Sequence, residues 1–97
     1  MPLVNPEKII KKADENQCAV AAFNVYNMET IQAVVEGANL ENAPVIIQTS
    51  PSTISYAGLD FVYANVKAAA DNVDIPVALH LDHCKYYDLV VNCLRNG

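Results

Sequence analysis

Three short apolar runs, each followed by a stretch at helical spacing, constrain this chain more than any other feature. Cys18 to Phe23, Val45-Ile46-Ile47 and Ile75 to Leu81 are the runs. Segments this short, apolar and partly β-branched are expected of strands covered on both faces. The helical stripes that follow are Ile31, Val34, Val35 and Ala38, then Leu59, Val62, Val66, Ala69, Ala70 and Val73, then Tyr87, Val90, Val91 and Leu94. A further helix precedes them. Asn5-Pro6-Glu7 combines an N-cap, a proline at the first helical position and an acid in the first turn, and Ile9, Ile10 and Ala13 form its stripe up to about Glu15-Asn16.

Local signals punctuate the pattern. Asn27 can cap the second helix, Pro44 stops it, Asp74 breaks before the third strand, and Gly97 stands where a C-terminal cap belongs. Ser50-Pro51-Ser52-Thr53 reads as a polar loop. The order is thus a helix and three strand–helix units, which predicts parallel strands near residues 19–23, 44–49 and 76–82, adjacent in chain order. Periodicity does not separate an open doubly wound sheet from a (β/α)₈ barrel. No GxGxxG or P-loop follows a strand, which removes the commonest doubly wound nucleotide binders. A barrel takes roughly 250 residues, so on that reading these 97 residues are part of one.

Composition narrows the function. With 53% hydrophobic and 18% charged residues the chain is globular. A formal net charge of −5 argues against a nucleic-acid partner, which requires a basic face. A small phosphorylated ligand stays open, because backbone N–H groups at a helix N-terminus hold phosphate without net positive charge. The three cysteines, Cys18, Cys84 and Cys93, form no CxxC pair and no disulfide framework. Residues Met1 to Pro6 show no signal-peptide pattern, and no apolar stretch approaches a membrane span. The expectation is a cytoplasmic protein with no membrane partner.

Parallel α/β proteins carry their chemistry at the C-terminal ends of strands. That rule selects Asn24 after the first run, Ser50 after the second, and Asp82-His83 after the third. These groups should converge on one end of the sheet. A carboxylate and an imidazole at a strand mouth are costly to desolvate unless paired or used, and imidazole is the commonest ligand of a catalytic metal. The alternative is a capping Asp beside an exposed His. His80 lies two residues before Asp82, on the same strand face and one layer deeper. It reads as a hydrogen-bonded core histidine in preference to a second metal ligand. Asn24 and Ser50 could equally be turn or cap residues, and the hydroxyl-rich run Thr49 to Ser55 either donates to a phosphate or is a solvated loop. Cys84 reads as a small packing residue, and Tyr86 and Tyr87 as helix-surface and packing residues.

Ala22-Phe23-Asn24-Val25, Ala43 to Ser50 and Pro76-Val77-Ala78-Leu79-His80-Leu81-Asp82-His83, in this order and spacing, resemble the class II fructose-bisphosphate and tagatose-bisphosphate aldolases. The resemblance implies that residues 1–97 are the N-terminal part of a single (β/α)₈ barrel. It implies reversible cleavage of a ketose 1,6-bisphosphate to dihydroxyacetone phosphate and glyceraldehyde 3-phosphate, with Zn²⁺ as Lewis acid. By resemblance His83 is one of three histidine zinc ligands and Asp82 the acid/base on the aldehyde-derived oxygen. Asn24 and Ser50 would contact the dihydroxyacetone phosphate portion. The partner is a phosphorylated sugar, and the full-length protein would be a homo-oligomer. The family's other two zinc histidines, its carbon base and its main phosphate loop match nothing in this sequence. Residues 1–97 alone are therefore expected to be inactive. Two other readings stand beside this one: a non-catalytic barrel subunit, and a related metal-dependent aldolase acting on another aldehyde.

Overall fold

A computed structural model describes residues 1–97. Its elements run α1 (Pro6–Glu15), β1 (Ala21–Asn24), α2 (Met28–Leu40), β2 (Val45–Thr49), α3 (Pro51–Ala57), α4 (Leu59–Asp71), β3 (Val77–Leu81) and α5 (Tyr87–Asn96). The three strands form one parallel sheet in the order β1-β2-β3, so chain order and spatial order coincide. Registers are one-to-one: Asn24 stands opposite Gln48, and Gln48 opposite His80.

The caps follow the sequence. Asn5 accepts from the Glu7 N–H ahead of Pro6. Asn27 and Thr30 form a reciprocal capping box at the start of α2. The segment expected to be a polar loop differs. Ser50 is the N-cap of a seven-residue helix with Pro51 at its first position, and its hydroxyl accepts from the Thr53 N–H at 3.4 Å. A serine followed by proline is a helix start as much as a loop signal, and buried Thr53 and Ile54 give α3 an inward side.

The sheet's two faces have different fates. Val45, Ile47 and Val77 point to the outer face and pack with Val25, Ile31, Val35, Val66, Ala70 and Ile75 in one apolar cluster. Ile46 and Ala78 point the other way and are covered at the sheet's lower end by Ile9 of α1. The leading segment is tied there too, through the Val4 N–H to Val77 O at 2.9 Å.

Two expectations about burial are corrected. The run Cys18 to Phe23 was expected to be covered on both faces, yet all four residues of β1 are exposed. β1 is an edge strand, and α1 covers β2 and β3 rather than β1. The strand also begins only at Ala21; ahead of it Gln17 adopts φ 54° and the Cys18 N–H donates back to Ala13 O in the turn after α1. α5, in turn, buries no residue. Beneath it lies a cavity of about 180 Å³ lined mainly by apolar residues, including Ile54, Val62, Leu79 and Leu81. Thr49 Oγ1 and Asn96 Nδ2 find no protein partner there, and a space of that size bounded by two polar groups can hold water. No helix is long and apolar enough to cross a membrane.

Candidate active site

Parallel strands in chain order bring three strand ends to one edge of the sheet. Asn24 is the last residue of β1, Ser50 follows β2, and Asp82 follows β3. All three of these sequence-selected positions therefore stand at the C-terminal end. Asp82 is fixed by its backbone: its N–H donates to Thr49 O at 2.7 Å, extending the β2–β3 ladder one step past the strand. Ser50 Oγ lies 2.9 Å from Ser52 Oγ and 3.3 Å from Thr53 Oγ1, so the hydroxyls of the β2–α3 junction form a connected group.

His83 leaves the strand line abruptly. Its φ of 57° is left-handed, a conformation that costs an L-residue about 1–2 kcal/mol. Gln17 and Asn42 adopt the same region in the turns after α1 and α2, and histidine is among the residues that tolerate it. The turn places His83 Nε2 at 3.3 Å from Asp82 Oδ2, with the imidazole 82% exposed and the carboxylate 25%. With Nε2 facing the carboxylate, Nδ1 is the ring nitrogen open to an outside ligand. The backbone makes a prediction of its own. Relative to His83→Gly, which tolerates this φ, His83→Val should be less stable by about 1–2 kcal/mol, read from chemical denaturation. Equal stabilities would mean that the turn relaxes freely.

His80 is hydrogen-bonded, as expected, but it is exposed rather than core. α1 covers only the lower layer of this inner face, Ile46 and Ala78, and leaves the layer two residues higher open. That upper layer holds a residue that sequence reasoning passed over. Gln48 bridges Asn24 and His80, at 3.2 Å from Asn24 Oδ1 and 2.9 Å from His80 Nδ1. The signal was available: a strand residue two before Ser50, of the same parity as Asn24 and His80 once the register is known.

The cysteines stay outside this constellation. Cys84 Sγ donates to Tyr86 O at 3.4 Å. Burial, and secondarily Cys84, pushes the Cys93 thiol upward, which disfavours the thiolate.

A profile of the class-II fructose-bisphosphate aldolases matches residues 4–97. The chain belongs to that family. Two solved structures are similar to it. The YdjI aldolase from Escherichia coli K12 superposes with a TM-score of 0.89 at 24% identity, covering 98% of this chain and 37% of its own. A candidate fructose-1,6-biphosphate aldolase from Coccidioides immitis gives 0.77 at 29% identity, covering 86% and 31%. At that identity the first likeness speaks for the fold. The chain thus spans about a third of the length of each neighbour, and its architecture is an aldolase-like α/β arrangement around a three-stranded parallel sheet.

Class-II aldolases typically depend on a metal. A catalytic zinc takes about three protein ligands and keeps one open position. These residues gather no three His, Cys, Asp or Glu side chains able to hold a metal. His83, beside Asp82 at the strand mouth, keeps Nδ1 free, and His80, whose Nδ1 bonds to Gln48, keeps Nε2, so two imidazoles at most are on hand. The donor set of residues 1–97 does not by itself fit the ion.

Proposed function

We propose that this family member acts as the N-terminal part of a (β/α)₈ barrel aldolase that reversibly cleaves a ketose 1,6-bisphosphate, of the fructose or tagatose type, in the cytoplasm. The observation that carries the reading is the Asp82–His83 pair, held at the end of β3 by a backbone ladder and a left-handed turn, in a chain matched by the family profile from residue 4 to 97. The cofactor in this reading is Zn²⁺, to which His83 contributes one ligand.

The work of these residues is then specific. Asp82 handles the proton on the oxygen that becomes the aldehyde, as base in cleavage and acid in condensation. Its anchored backbone and its position three-quarters removed from solvent suit a group that must meet one substrate atom. Asn24 and the Ser50 hydroxyl contact the dihydroxyacetone phosphate half, whose oxygens require donors. The full-length protein forms a homo-oligomer, and the fragment 1–97 holds too few donors for tight zinc or turnover.

The test compares full-length protein with the 97-residue polypeptide, using fructose and tagatose 1,6-bisphosphates and measuring bound zinc. Cleavage of at least one sugar by the first, and neither turnover nor stoichiometric zinc in the second, is the expected result. A full-length protein inactive on both sugars would favour the related aldolase acting on another aldehyde. Activity in the short polypeptide would overturn the partial-barrel reading.

A further inference from the structure

The upper layer of the inner sheet face carries a hydrogen-bonded line that crosses all three strands. Gln48 stands in register between Asn24 and His80 and bonds to both. An amide has one donor end and one acceptor end, and a neutral imidazole has one of each. The line therefore has a direction. With Nδ1 protonated, His80 donates to Gln48 Oε1, and Gln48 Nε2 donates to Asn24 Oδ1. Asn24 Nδ2 then keeps its donors free at the end of β1. With Nδ1 bare, the Gln48 amide must turn over to keep its bond to His80. Its Oε1 then accepts from Asn24 Nδ2, and Asn24 presents Oδ1 instead. The same three side chains can offer a ligand either a donor or an acceptor, and the tautomer of His80 decides which.

We infer that His80 is a positioning residue that holds Asn24 with its N–H donors outward, so that the end of β1 selects an acceptor oxygen of the substrate and disfavours a donor. The arrangement is the one the structure shows, with Gln48 Oε1 toward His80 Nδ1 and Nε2 toward Asn24. His80 Nε2 faces away from this line, so adding a proton there leaves the direction intact; only the Nε2–H tautomer reverses it. Gln48 is the transmitting element, and neither it nor His80 needs to touch substrate. The inference rests on the reading of Asn24 as a substrate contact.

The experiment uses the full-length protein in two parts. In [¹⁵N]histidine-labelled protein, long-range ¹H–¹⁵N correlation reads the tautomer of His80, its resonances assigned by their loss in His80→Asn. The Nδ1–H form is expected, and the Nε2–H form overturns the orienting line itself. In steady-state kinetics with the bisphosphate substrate, His80→Leu should raise KM about 10-fold, more than it lowers kcat, as expected for one hydrogen bond misdirected. His80→Asn, whose Nδ2 stands near the lost Nδ1, should recover most of that loss, and His80→Gln, with its amide one carbon further out, should not. In an Asn24→Ala background, His80→Leu should add nothing, because the line then ends at no ligand. Additive losses in the double variant overturn the coupling. An Asn24→Ala protein with unchanged KM overturns the substrate contact, and with it the selective role, whatever the tautomer.

Discussion

Replacing Asp82 with alanine in the full-length protein will lower turnover by about 10²–10⁴-fold, the usual loss when one general acid–base group is removed, while bound zinc stays at the wild-type level. The carboxylate leans on His83 at 3.3 Å, while the main chain of Asp82 is fixed separately by its N–H to Thr49 O. Truncating it removes a proton carrier and leaves the turn in place. His83→Ala should do the opposite and lower zinc content itself. Metal analysis and turnover measured on the same preparations separate the two residues. His83→Ala protein that remains fully loaded and active would sink the ligand assignment. An Asp82→Ala enzyme within tenfold of wild type would remove Asp82 from proton transfer.

Ile47→Ala will be the most damaging single truncation in this part of the fold, at about 2–5 kcal/mol. Ile47 sits at the middle of the central strand with no exposed surface and packs into the cluster formed with α2 and α4. Both neighbouring strands and two helices close around it, so the emptied volume has little room to collapse. Leu40→Ala is the control. Leu40 is 78% exposed at the end of α2 and its loss should stay within about 0.5 kcal/mol. Denaturant midpoints of the two variants read the difference. Equal costs would show that the cluster around Ile47 repacks freely.

The sequence carried most of the architecture because the signals were local. Asn5 with Pro6, and Asn27 with Thr30, announce helix starts within a few residues, and Val45-Ile46-Ile47 announces a buried strand by composition alone. What escaped depended on neighbours distant in sequence. The exposure of Ala21, Ala22 and Phe23 is decided by what packs on β1, since α1 lies on Ile46 and Ala78 of the neighbouring strands instead, and no residue of that run encodes this. The role of Gln48 appears only when the register sets it between Asn24 and His80. α3 escaped for a different reason. Its start at Ser50-Pro51 is local, but polar hydroxyls mask a helix whose inward side is only Thr53 and Ile54. At the site, the strand-end rule placed Asn24, Ser50 and Asp82 on one end of the sheet, whereas the left-handed turn at His83 and the open layer around His80 are tertiary facts.

The coincidence of chain order with strand order has a consequence for biosynthesis. Each strand pairs with the one made just before it: β2 finds β1, and β3 finds β2. A polypeptide emerging from the ribosome at about 5–20 residues per second therefore never waits for a distant segment to begin building this sheet, and it can accrete unit by unit. Until the next unit arrives, the newest strand is left as an open template, as is the free side of β1. The leading segment, bonded to β3 through Val4, must hold its place or re-dock once that strand appears.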